Sequence, residues 1–124
     1  MIILNEELNE NSIDEFFEMS TLRKKRSGLP VNLYLDDSKR YKRAGHAKRI
    51  KFQPNKSDHP NTHEMIPMSI EDEPKILVQN VKIDLTLAEL NKIKLFVSLN
   101  KDLLLDLSDM KIDFIEFGNK MKKV

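Results

Sequence analysis

A chain of 124 residues with no cysteine is sized for one domain with a modest core, and it excludes disulfides, thiol nucleophiles and thiolate metal sites. Hydrophobic residues make up 40% and charged residues 33%, without tryptophan, the balance of a soluble and rather polar globule. The net charge of +1 conceals three blocks: residues 1–22 sum to −6, residues 23–56 to +10 and residues 57–124 to −3. Such asymmetry points to an anionic partner, or to an acidic arm and a basic middle that neutralise each other within the fold. The start, MIILNEELNE, carries acids where a secretory signal carries bases, and no run approaches the roughly 18 apolar residues of a membrane span. A cytoplasmic protein with no membrane partner is the expectation.

In chain order, Ser12-Ile13-Asp14-Glu15 has the form of a capping box, and Ile13, Phe16, Phe17 and Met19 follow at near-helical spacing. A helix over about 12–25 is predicted, acidic at its start and closed by Arg23-Lys24-Lys25-Arg26, Gly28 and Pro30. The Arg-Lys-Lys-Arg run reads as a solvated helix end or as a phosphate contact. Val31, Leu33 and Leu35 then alternate with Asn32, Tyr34 and Asp36, the period of a half-buried strand. Asp36-Asp37-Ser38 signals a turn, and alternation resumes from His46 to Phe52, with Ile50 and Phe52 on one side and Arg49 and Lys51 on the other. If the two strands pair, Tyr34, Arg49 and Lys51 share the outer face.

Gln53 to Thr62 is a polar loop rich in proline and asparagine. Met65 to Ile70 forms a third strand that Pro67 confines to an edge or a bulge. Ile76 to Leu85 suits a fourth strand, with a short helix over 74–79 as its rival. Thr86-Leu87-Ala88-Glu89 is a second capping box, followed by Leu90, Ile93, Phe96 and Val97 on one face. Asn100 restarts or continues a helix through Leu105. Ser108 caps a last one, in which Met110, Phe114, Phe117 and Met121 recur at three- and four-residue steps and Lys120, Lys122 and Lys123 suit its C-terminal end.

The fold class expected is therefore α+β: a small antiparallel sheet of three to four strands, an N-terminal helix and two to three C-terminal helices. One domain over 1–124 divides into an acidic segment 1–27, a basic hairpin 28–54, a polar loop 55–64, and strands and helices over 65–124.

Two stretches carry a family likeness: Gly45-His46-Ala47-Lys48-Arg49-Ile50-Lys51-Phe52, and Leu87-Ala88-Glu89-Leu90-Asn91-Lys92-Ile93 running into Leu99-Asn100-Lys101-Asp102-Leu103-Leu104. Over roughly residues 31–107 the chain resembles a widespread family of small bacterial proteins of unknown function, found in some toxin–antitoxin-like gene settings. The family's Pro-Pro-His-x-His turn is absent here, and His46 alone stands in its place. The resemblance implies an architecture rather than an activity.

Chemistry-bearing patterns are sparse. His59 and His63 are four apart like helical zinc ligands, but Pro60 and Asn61 break the helix that would give the spacing meaning, so no metal site is expected. Three scattered glycines exclude a phosphate-binding glycine loop, and no cofactor is expected. His46 beside Lys48 and Arg49 would be catalytic only in a nuclease. Asp102, Asp106, Asp109 and Asp113 recur at helical steps as an acidic, solvated face. The stronger candidate is a nucleic-acid-binding set of Lys39, Arg40, Lys42, Arg43, Lys48, Arg49 and Lys51, with Tyr41 as a stacker, since cations track phosphates and aromatics stack on bases.

A non-enzymatic module engaging a polyanion, nucleic acid above all, is the first expectation. The alternative is a protein-interaction module, such as an antitoxin or a small inhibitor of a nucleic-acid enzyme, in which the acidic N-terminal helix or acidic C-terminal face meets a basic groove. The partner is then nucleic acid or a nucleic-acid-binding protein. Oligomeric state is not legible.

Overall fold

Alternate residues of three short segments, Leu33 and Leu35, Ile50 and Phe52, Ile66 and Met68, come to one face when the segments pair antiparallel. The computed structural model describes residues 21–35, 48–59, 61 and 64–124. Its elements run β1 (Thr21–Leu22), α1 (Lys24–Ser27), β2 (Leu33–Leu35), β3 (Arg49–Phe52), β4 (Ile66–Ser69), α2 (Leu87–Leu99), α3 (Lys101–Ser108) and α4 (Phe114–Lys120). The four strands form an antiparallel sheet in sequence order. This is an α+β fold, with its longer helices after the sheet.

The register aligns Leu22, Leu33, Phe52 and Ile66 in one cross-strand row and Leu35, Ile50 and Met68 in the next. Those side chains join Ile93, Phe96 and Val97 of α2, Leu104 of α3 and Phe117 of α4 in a single apolar core. Pro67 sits on the edge strand, as expected of a residue without an N–H. Its carbonyl accepts from Leu77 N at 3.0 Å, so the missing donor faces away from β3 and removes no bond to it.

α2 begins as its sequence dictates. Glu89 N donates to Thr86 Oγ1 at 3.1 Å, and Thr86 N donates to Glu89 Oε1 at 3.0 Å, a complete capping box. These bonds, backed by Lys56 Nζ at 3.2 Å, hold the Glu89 carboxyl below the usual glutamate range. Asn100 closes α2 and opens α3. Its buried amide donates to the carbonyls of Phe96 and Lys122 and accepts from Lys122 N at 2.7 Å, stitching the C-terminal tail to the helix junction.

Four expectations are corrected. The helix over 12–25 does not extend through its last third: Thr21 and Leu22 pair with Tyr34 and Leu33 as an edge strand, and only residues 24–27 are helical. Burying Leu22 against Leu33 outweighs helical periodicity; residues 12–20 lie outside the described set. The fourth strand over 76–85 reduces to one bridge, Ile76 to Met68, after which Asn80 at φ 59° turns the chain away. Asn32 does not face solvent. Nor does Ser108 cap the last helix: it ends α3, and Asp113 caps α4 by accepting from Glu116 N at 2.7 Å.

The end of α3 is a Schellman motif. Lys111 N donates to Asp106 O at 2.8 Å and Met110 N to Leu107 O at 3.0 Å, which places Met110 at the left-handed position with φ 61°. Glycine meets no steric penalty there, and the Met110 side chain is exposed. Met110→Gly is expected to stabilise the fold by about 1 kcal/mol, read as a higher urea midpoint at unchanged m-value.

Candidate nucleic-acid interface

Because side chains alternate, the sheet has a second face. It carries Thr21, Tyr34, Lys51 and Pro67 in one row and Arg49 and Ser69 in the next. Tyr34, Arg49 and Lys51 thus share the outer face, as the alternation predicts. Lys51 Nζ lies 6.0 Å from the centre of the Tyr34 ring, the outer limit of a cation–π contact. Arg49 and Lys51 are both half-buried.

Lys48 is one residue out of phase with them. It turns to the helical side, where its ammonium forms an ion pair with Asp109 at the end of α3. Of the three described bases in the expected set, the fold brings Arg49 and Lys51 together and directs Lys48 elsewhere. Tyr34 is 2% exposed and lies outside the apolar core cluster, and Phe52 is a core residue. Neither offers a face to a base. Lys39, Arg40, Tyr41, Lys42, Arg43 and His46 lie in the β2–β3 connection, outside the described residues.

The Arg23–Arg26 run is largely engaged. Lys24 Nζ reaches Asp58 Oδ1 at 2.8 Å and Lys56 O at 2.6 Å, while Arg23 Nη1 donates to Asp58 O at 3.1 Å. The Lys24 hydrogen bond holds the Asp58 carboxyl below its usual range. Gly118 leaves room on α4 for the Arg26 guanidinium, since a Cβ there would lie 2.9 Å from Arg26 Nη2.

Beneath this run lies a buried pair of amides that sequence reasoning passed over. Asn32 is 0% and Gln53 1% exposed. Asn32 Oδ1 accepts from Lys24 N at 2.8 Å, which caps α1, and Nδ2 donates to Gln53 Oε1 at 3.0 Å. Gln53 Nε2 donates in turn to Asn55 Oδ1 and to the carbonyls of Ser57 and His59 at 3.1, 3.3 and 3.1 Å. The pair therefore shapes loop 54–59 through side-chain amides. A polar residue between Val31 and Leu33 was its only trace in the sequence.

Other chemistry is thin. The aspartates expected as one acidic face have separate surroundings: Asp109 pairs with Lys48 and Asp113 caps α4. His59 is exposed and His63 lies outside the described residues; no metal-holding cluster occurs among the described residues. A groove of about 690 Å³ beside β4, lined by Met65, Ile66, Pro67, Val78, Val81 and Lys82 among others, has no nucleophile–base pair. Among the described residues no helix is long and apolar enough to cross a membrane. No family model, curated protein or solved structure matches the chain.

Proposed function

We propose that this protein is a non-enzymatic module that binds a polyanion, nucleic acid in particular, through the outer face of the β2–β3 hairpin and its connecting loop. One observation carries the reading: the strand register puts Arg49 and Lys51 side by side on the face away from the core. The connection between those strands adds Lys39, Arg40, Lys42 and Arg43 by sequence, with Tyr41 the aromatic left to stack once Tyr34 and Phe52 are buried. Lys48 contributes less, because it turns to the helical side of the sheet, where it meets Asp109. The resemblance to the small bacterial family is compatible with this role and adds no activity to it.

The test is fluorescence anisotropy with a labelled single-stranded oligonucleotide. Affinity is expected to fall linearly in log–log form with salt, because neutralised phosphates release counterions, by about 0.7 per phosphate contact. Arg49→Glu with Lys51→Glu is expected to weaken binding at least about tenfold and flatten that slope, whereas Lys48→Ala changes affinity by less than about threefold. No binding at low salt, or binding indifferent to salt, refutes the reading.

A further inference from the structure

The helix α2 is apolar on both sides. Ile93, Phe96 and Val97 enter the core. A surface helix ordinarily balances such a stripe with a polar face. Here the exposed positions are Leu87, Ala88, Asn91, Lys92, Leu95 and Leu99, only one of them charged. Leu87 is 73%, Leu95 55% and Leu99 45% exposed, and their spacings of eight and four residues align them in one stripe along the helix. At 1.5 Å per residue the stripe is about 18 Å long.

The charges bordering the stripe select its occupant. At 100° per residue, Lys92 flanks the leucines on one side and Lys94 on the other. Neither takes part in an ion pair among the described residues. Glu89, the helix's one acid, is occupied by its own cap and by Lys56. Pairing α2 with α2 of a second copy would bring lysine to lysine, whether parallel or antiparallel, with no free acid on that face to answer it. An anionic membrane is disfavoured too, since two lysines fall short of the cluster of about four or more bases that lipid-surface segments carry.

We infer that the outer face of α2 is a docking surface for an acidic amphipathic helix of a partner protein, whose apolar side covers Leu87, Leu95 and Leu99 while its carboxylates meet Lys92 and Lys94. The surface belongs to the helical layer, whereas Arg49 and Lys51 lie on the opposite side of the sheet. The inference therefore stands independently of polyanion binding.

Two fluorescein-labelled synthetic helices of about 18 residues test it, with leucines at i, i+3, i+4 and i+7 and either glutamate or lysine at the flanking positions. The full chain is expected to bind the glutamate helix at least tenfold more tightly than the lysine helix. Leu95→Glu is expected to lower that affinity at least tenfold, and Lys92→Glu with Lys94→Glu to reverse the preference. Circular dichroism checks folding; if Leu95→Glu unfolds, Leu87→Glu at the helix N-terminus gives the same readout, since an acid is favoured there. Equal binding of both helices, no binding, or binding unchanged by the leucine substitution overturns the inference. So does self-association in analytical ultracentrifugation, or attachment to phosphatidylglycerol–phosphatidylcholine vesicles, if either is lost in the leucine variant.

Discussion

Replacing Asn32 by aspartate is expected to destabilise the fold by about 3–5 kcal/mol at neutral pH, although the two side chains have nearly the same shape. The carboxylate would still accept from Lys24 N, but it could not donate to Gln53 Oε1, now 3.0 Å from the Asn32 amide nitrogen. Turning the Gln53 amide over does not help. Its oxygen would then face Asn55 Oδ1 and the carbonyls of Ser57 and His59. Each arrangement sets oxygen against oxygen at a site sealed from water.

Burial raises the pKa of such a carboxyl above its unfolded value, because desolvation disfavours the charge. The penalty is therefore largest at pH values above the raised pKa. It shrinks as pH falls through that value, where the introduced carboxyl takes up a proton and can donate to Gln53 Oε1. Urea unfolding at pH 7 and pH 5 checks this: the gap between variant and parent should narrow at the lower pH. A loss under about 1 kcal/mol at pH 7 would mean that the amide pair does not organise loop 54–59.

Phe96→Ala is expected to cost about 3–5 kcal/mol, the range for emptying a buried aromatic site. Phe96 is 0% exposed and joins α2 to the sheet side of the core. Both side-chain and backbone N–H groups of Asn100 also bond its carbonyl, so the helix end is held and cannot easily collapse into the cavity. Its neighbour supplies the control. Leu95→Ala, on the outer face, should change stability by less than about 0.5 kcal/mol. A similar cost at both positions would contradict the placement of α2, and with it the docking face.

Much of the fold was legible because local chemistry and tertiary packing agree there. Thr86 and Glu89 form the capping box their spacing announces, and Ile50 and Phe52 alternate with Arg49 and Lys51 as a half-buried strand requires. Legibility failed where long-range pairing overruled a local pattern. Thr21 and Leu22 continue a helical periodicity yet close the sheet, since Leu33 offers Leu22 more buried surface than a solvated helix end does. Ser108 has a good capping side chain, but the Schellman turn of α3 uses that position first, and Asp113 caps instead.

The candidate interface divides in the same way. The sequence alone determined that positive charge concentrates over residues 23–56, and that Arg49 and Lys51 project opposite to Ile50 and Phe52, because a strand's period of two leaves no other choice. Tertiary structure alone decided which bases are engaged elsewhere. Asp109, distant in sequence, is what pairs with Lys48, and Asp58 is what engages Lys24. It also decided that Asn32 is interior, and that α2 keeps a second apolar face. A hydrogen-bond partner or a covering layer is a property of packing, and no spacing within one segment encodes it.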